Sequence, residues 1–77
     1  MNLFKLKEFN ENRIIYLYQP EGRGEWGEVL YSFVDGAAII NKRAEENSSI
    51  HDNMALIKIK KQVESKNLPL EFTQAWY

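Results

Sequence analysis

Three glycines, Gly22, Gly24 and Gly27, stand in the spacing G-x-G-x-x-G within EGRGEWGE, residues 21–28. That spacing can cradle a phosphate. The chemistry needs a preceding strand, a tight turn, and then a helix whose N-terminal N–H groups receive the pyrophosphate. Here a strand-like run, EVLYSFV, follows where the helix should be. Glu21, Glu25 and Glu28 surround the loop against Arg23 alone, so an incoming phosphate meets net negative charge. The glycines are therefore expected to supply positive φ to a long hairpin loop, with no cofactor held there.

Other residues that could do chemistry fare no better. His51 is the single histidine and has Ser49 and Asp52 beside it. Neighbours at a helix start do not converge as a nucleophile, base and orienter must. One histidine without cysteine also leaves no credible metal set, so a solvent-facing His51 in a capping turn is expected. Glu45 and Glu46, with the glutamates of 21–28, could pair as acids for glycoside chemistry. A solvated acidic rim explains them more simply. Lys58, Lys60, Lys61 and Lys66 spread around a helical cylinder and form no basic strip. No catalytic, cofactor-binding or metal-binding residue is assigned.

Aromatic residues carry more information. Trp26 sits between glycines, either as a lid on the sheet edge or as an anchor for a partner, a role in which Trp is favoured. Tyr16, Tyr18 and Tyr31 fall on adjacent strand-like runs. Exposed, they would be a stacking platform for bases; without flanking Lys or Arg, a core or interface cluster fits them better. Trp76 and Tyr77 are expected to dock on the sheet or across a subunit boundary, since unanchored ends fray. Trp26, Tyr16, Tyr18, Trp76 and Tyr77 are the candidate partner contacts.

The elements that position these residues follow from periodicity. LFKLKEF (3–9) alternates, with Phe4 and Leu6 on one face and Lys5 and Lys7 on the other. RIIYLYQ (13–19) is apolar on both faces, Ile14, Tyr16 and Tyr18 against Ile15 and Leu17, as befits a central strand. EVLYSFV (28–34) and AAIINKR (37–43) flank Asp35-Gly36, which predicts a two-residue type I′ turn pairing Val34 with Ala37, Ser32 with Ile39 and Tyr31 with Ile40. Tyr31, Phe33, Ala38 and Ile40 would then share the helix-covered face. Ser48, Ser49 or Asp52 can cap a helix over about 50–65, with a Lys-rich final turn and a stop at Asn67 and Pro69. Its apolar residues form two stripes: Leu56, Ile59 and Val63, then Ile50, Met54 and Ile57. LEFTQAWY (70–77) supplies a last short strand bearing Phe72, Gln74 and Trp76 on one side.

The sequence thus predicts one α+β domain over 1–77: two β-hairpins forming an antiparallel sheet of four to five strands, one helix on one face, and a C-terminal strand. A domain of this length buries only about 60% of its unfolded surface, so its core is thin. Net charge is −1, with the acidic excess in residues 21–52 and a mildly basic C-terminal third. Nucleic acid, whose binders need many phosphate contacts, is not an expected partner. No stretch approaches the roughly 20 apolar residues of a membrane span, and no signal peptide is expected of MNLFKLKEFN, which has no apolar run before it meets charge. The absence of cysteine excludes disulfides and thiolate chemistry, and points to a reducing cytoplasm. One helix covers only one face of a sheet apolar on both. The expectation is a non-enzymatic protein acting by protein–protein association, as a homodimer and with another protein. Two alternatives are a small-ligand or single-stranded nucleic-acid module using the tyrosine face, and an enzyme whose site is completed across a dimer interface by His51 or a glutamate.

Overall fold

Alternation and β-branched content place the first four segments in a meander, seen in a computed structural model that describes residues 1–44 and 49–75. The strands are β1 (Asn2–Phe9), β2 (Arg13–Pro20), β3 (Gly27–Ser32) and β4 (Ala37–Lys42). Helix α1 (Ser49–Ser65) and strand β5 (Glu71–Gln74) follow. Every neighbouring pair is antiparallel, in the order β4-β3-β2-β1-β5, so the class is α+β with a five-stranded sheet and one helix packed after the strands. Glu45, Glu46, Ser48, Trp76 and Tyr77 lie outside the described residues.

Asn10 makes the first turn. Its Oδ1 accepts the backbone N–H groups of Asn12 (2.8 Å) and Arg13 (3.0 Å), a local bond that substitutes for ladder pairing. The second hairpin differs from the two-residue turn. Its strands pair Ser32 with Ala37, Tyr31 with Ala38 and Leu30 with Ile39, leaving the four-residue loop 33–36. Only Gly36 takes positive φ (+69°), whereas a type I′ turn needs two such residues. Ser32 prevents the tighter turn: its carbonyl takes the Gly36 N–H (2.8 Å) and its Oγ takes the Asp35 N–H (3.1 Å). The register moves by two residues, so no side chain changes face. Tyr31, Ala38 and Ile40 pack under the helix as expected. Phe33 lies beyond the end of β3, and its ring lies 6.0 Å from that of Phe9 and 5.6 Å from that of Tyr31.

The core lies between α1 and one face of β1–β3. Phe4, Ile14, Tyr16, Tyr18, Val29, Ala44, Ala55 and Ile59 are buried there. Large aromatics dominate it, each removing about 200 Å² from water, and burying such a side chain is worth about 3 kcal/mol. Phe72 of β5 stacks on Phe4 at 4.5 Å, which ties the last strand to the first. Leu56, Ile59 and Val63 form the helix stripe on the sheet. The second stripe faces outward, with Ile50 63% and Ile57 46% exposed.

Helix α1 ends without the expected Lys-rich turn; its last turn holds no basic residue. A Schellman closure ends it instead. The Lys66 N–H donates to Val63 O (3.1 Å) and the Asn67 N–H to Gln62 O (3.0 Å), with Lys66 at φ +57° in the position glycine ordinarily takes.

Candidate functional site

Because side chains alternate across a strand, the face opposite α1 is set by the same register. It carries Leu3 and Lys5 of β1, Ile15, Leu17 and Gln19 of β2, Glu28 and Leu30 of β3, and Ile39 of β4. Ile15, Leu30 and Ile39 are direct cross-strand neighbours and form one apolar row. Ile39, at the end of that row, is 51% exposed. No described helix or strand covers this face.

The glycine loop folds onto it. Glu21, Gly22 and Gly24 take φ of +54°, +66° and +79°, which bends the chain back after Pro20. Gln19 then holds the loop, its Nε2 donating to the Gly24 carbonyl at 2.7 Å. This delivers Trp26, half-buried, to the open face, with the Lys5 ammonium 5.4 Å from its ring centroid. Cation–π contact of this kind contributes on the order of 1 kcal/mol at exposed sites. Leu3, Lys5, Trp26, Glu71 and Thr73 line a shallow groove of about 440 Å³ here. Lys5 also lies 4.0 Å from Glu71. Trp26 is thus both lid and lining.

Beside the groove is a polar patch built by two register shifts, one at Lys7 and one at Asn41. The extra residue of each aims at Glu28: Lys7 Nζ donates to Oε2 at 2.7 Å and Asn41 Nδ2 to Oε1 at 3.0 Å. Those bonds, the Lys7 bond foremost, lower the Glu28 pKa from its ordinary 4.5.

Gly27 turns the other way. A Cβ on it would lie 2.5 Å from a Tyr18 ring carbon and 2.6 Å from both the Ala44 nitrogen and the Lys42 oxygen. The third glycine therefore serves close packing, and Tyr18 is what it makes room for. The Tyr18 hydroxyl donates to Asp52 Oδ1 at 2.8 Å, and Arg43 reaches Asp52 Oδ2 with Nε (3.0 Å) and Nη2 (2.9 Å). Burial first, and then the Asp52 hydrogen bond, push the Tyr18 phenol up to about 12. A carboxylate with one oxygen held by a phenol and the other by a guanidinium is a fastener.

These positions correct several expectations. Tyr16 and Tyr18 are fully buried beneath α1, with the Tyr16 hydroxyl donating to Pro69 O at 2.7 Å. Neither can present a ring to a partner or a base, so the tyrosine face is core. Burial also raises the Tyr16 pKa. His51 does not face solvent freely: its side chain is 19% exposed and its Nε2 lies 3.1 Å from Glu21 Oε1. The N-terminal ammonium, 2.6 Å away, and then His51 lower the Glu21 pKa. His51 thus reaches Glu21, whereas Asp52 reaches Tyr18 and Arg43. Among the described residues no three His, Asp or Glu side chains are placed to share a metal ion. No described helix is long and apolar enough to cross a membrane.

Sequence reasoning found Trp26 and the two-faced β2 but missed the Tyr18–Asp52–Arg43 fastener and the Glu28 patch. Both depend on contacts between segments far apart in the chain. Comparison with protein-family models, curated proteins and solved structures finds no match for this chain.

Proposed function

We propose that the protein acts non-enzymatically, by association with a second copy of itself and with another protein, in a reducing cytoplasmic compartment. The observation that supports contact with another protein is the sheet face opposite α1, where Leu17, Leu30 and Ile39 flank the buried Ile15 and run up to a groove edged by Trp26. Helix α1 packs on the opposite face, where Tyr18, Asp52 and Arg43 are engaged with one another. An aromatic beside an apolar surface, with polar neighbours, has the composition of an interface anchor. Tagged full-length protein, recovered from its source cells by cross-linking, identifies the partner, which is then rebound in purified form. Trp26→Ala is expected to stay folded by circular dichroism and to bind that partner at least about tenfold more weakly. Undiminished binding by the folded variant removes this face from the function.

A small-ligand reading shifts from the tyrosine face to the Trp26 groove, whose volume and mixed lining are adequate for a small molecule. Chemical shifts of Leu3, Trp26 and Thr73 in titrations with nucleotides and with a short single strand decide it.

A further inference from the structure

Strand β4 is an outer strand of the sheet. Its outward N–H and C=O groups therefore face away from every other strand, a template for further pairing. Soluble proteins blunt such edges with charge, proline or a bulge. In β4 the sequence AAIINK has no charge before Lys42, and its register shift comes only at Asn41. The segment Ala37–Ile40 is regular and uncharged, and no described strand pairs with its outer side.

We infer that β4 pairs antiparallel with β4 of a second copy of this chain, about a two-fold axis at Ile39, fusing two sheets into one of ten strands; this rests on the association reading above. A two-fold axis perpendicular to the sheet keeps each face continuous, so opposed residues must come from the same face. Centring on Ile39 satisfies that condition. Ile39 meets Ile39 of the copy on the open face, and Ala38 meets Ile40 on the helix face, small against large.

Charge supports the same register. Asp35, in the hairpin loop just before the strand, comes to the end at which the copy carries Lys42. Opposite charges facing each other at both ends stabilise the pair, whereas a parallel arrangement would set like against like. The apolar row Ile15–Leu30–Ile39 then continues into its own copy. The second chain sits beside the open face without covering it, and the Trp26 groove of each chain stays available to another protein.

Sedimentation of the full chain from micromolar to millimolar concentration tests the pairing, together with amide hydrogen exchange at Ala37–Asn41. The expected result is a dimer whose β4 amides become more protected as concentration rises. Ile39→Lys sets like charges opposite each other and should weaken dimerisation at least about tenfold. Leu17→Lys, in mid-face on β2, should leave it unchanged. Asp35→Lys and Lys42→Glu should each weaken the dimer and together restore it. A dimer broken equally by Leu17→Lys, with no concentration-dependent protection in β4, overturns edge pairing in favour of face-to-face association. A monomer throughout the range overturns self-pairing altogether, while partner binding through Trp26 stands or falls on its own test.

Discussion

The Tyr18 hydroxyl donates to Asp52 across 34 residues of chain, and this one bond at 2.8 Å fastens the first turn of α1 to the central strand. Tyr18→Phe keeps the ring over Gly27 but leaves Asp52 with Arg43 alone. A hydrogen bond to a carboxylate contributes about 2 kcal/mol, so the melting temperature should fall by roughly 10 °C in a domain of this size. The same bond has a pH signature. The phenol titrates near 10 when unfolded and at about 12 when folded, so its contribution is complete below pH 10 and is lost as pH rises towards 12. Urea melts across that window should lose stability in the parent and lose less in Tyr18→Phe. Some loss remains, because Tyr16 is raised as well.

Two glycines differ in what they do, and alanine separates them. At Gly27 the clash is with backbone atoms of Lys42 and Ala44, which cannot swing aside. Gly27→Ala should cost about 3 kcal/mol or more, at the limit of overpacking penalties. Nothing lies within 4 Å of a Cβ on Gly36, whose φ is +69°. Gly36→Ala then costs only the strain of its φ, about 1 kcal/mol. Equal losses in denaturant midpoints would contradict this division.

Lys66 closes α1 in a conformation that L side chains resist. Lys66→Gly relieves the strain while both Schellman bonds remain, and should stabilise the fold by about 1 kcal/mol. Thermal melts would show a rise of several degrees. Lys66→Val, β-branched, should shift the midpoint the opposite way.

Glu28 makes the fold acid-sensitive. Its folded pKa lies below the unfolded value of 4.5. Its contribution is therefore present above pH 4.5 and disappears as pH falls through the folded value. Glu28→Gln, which keeps an oxygen acceptor but loses the charge, should flatten the stability profile between neutral pH and the acid limb. Glu21, also lowered, leaves a residual slope there. A profile identical to the parent's would show that Lys7 and Asn41 do nothing for the folded state.

Strand runs were legible in this sequence because alternation survives locally: Phe4 and Leu6 inward, Lys5 and Lys7 outward, and Ile14, Tyr16 and Tyr18 together on one face of β2. The hairpin at Asp35-Gly36 was visible, but its length was not. A Ser32 hydroxyl and carbonyl competing for turn N–H groups leave no mark in the pattern. The spacing G-x-G-x-x-G was legible as turn-making glycines, and that reading fits two of the three. Gly22 and Gly24 do turn the chain with positive φ, while Gly27 answers a steric demand that comes from Tyr18 and the end of β4. Trp26 could be singled out, but the face it reaches depends on Gln19 and Gly24. Register shifts at Lys7 and Asn41 were invisible because an extra residue looks the same as any other until its partner strand is in place.

Pairing of β1 with β5 sets an order of events during synthesis. Strands β1 to β4 join by short-range hairpins, which close quickly and at low entropic cost. The β1–β5 ladder matches Asn2 with Gln74 and Lys5 with Glu71, so it waits until nearly the whole described chain is made. Through that interval the outer side of β1 is a second unpaired edge, next to Leu3 and Phe4, and it carries Lys5 and Lys7 before Glu71 arrives to meet the first of them. Lysines beside an unpaired edge disfavour its pairing with other unfinished chains.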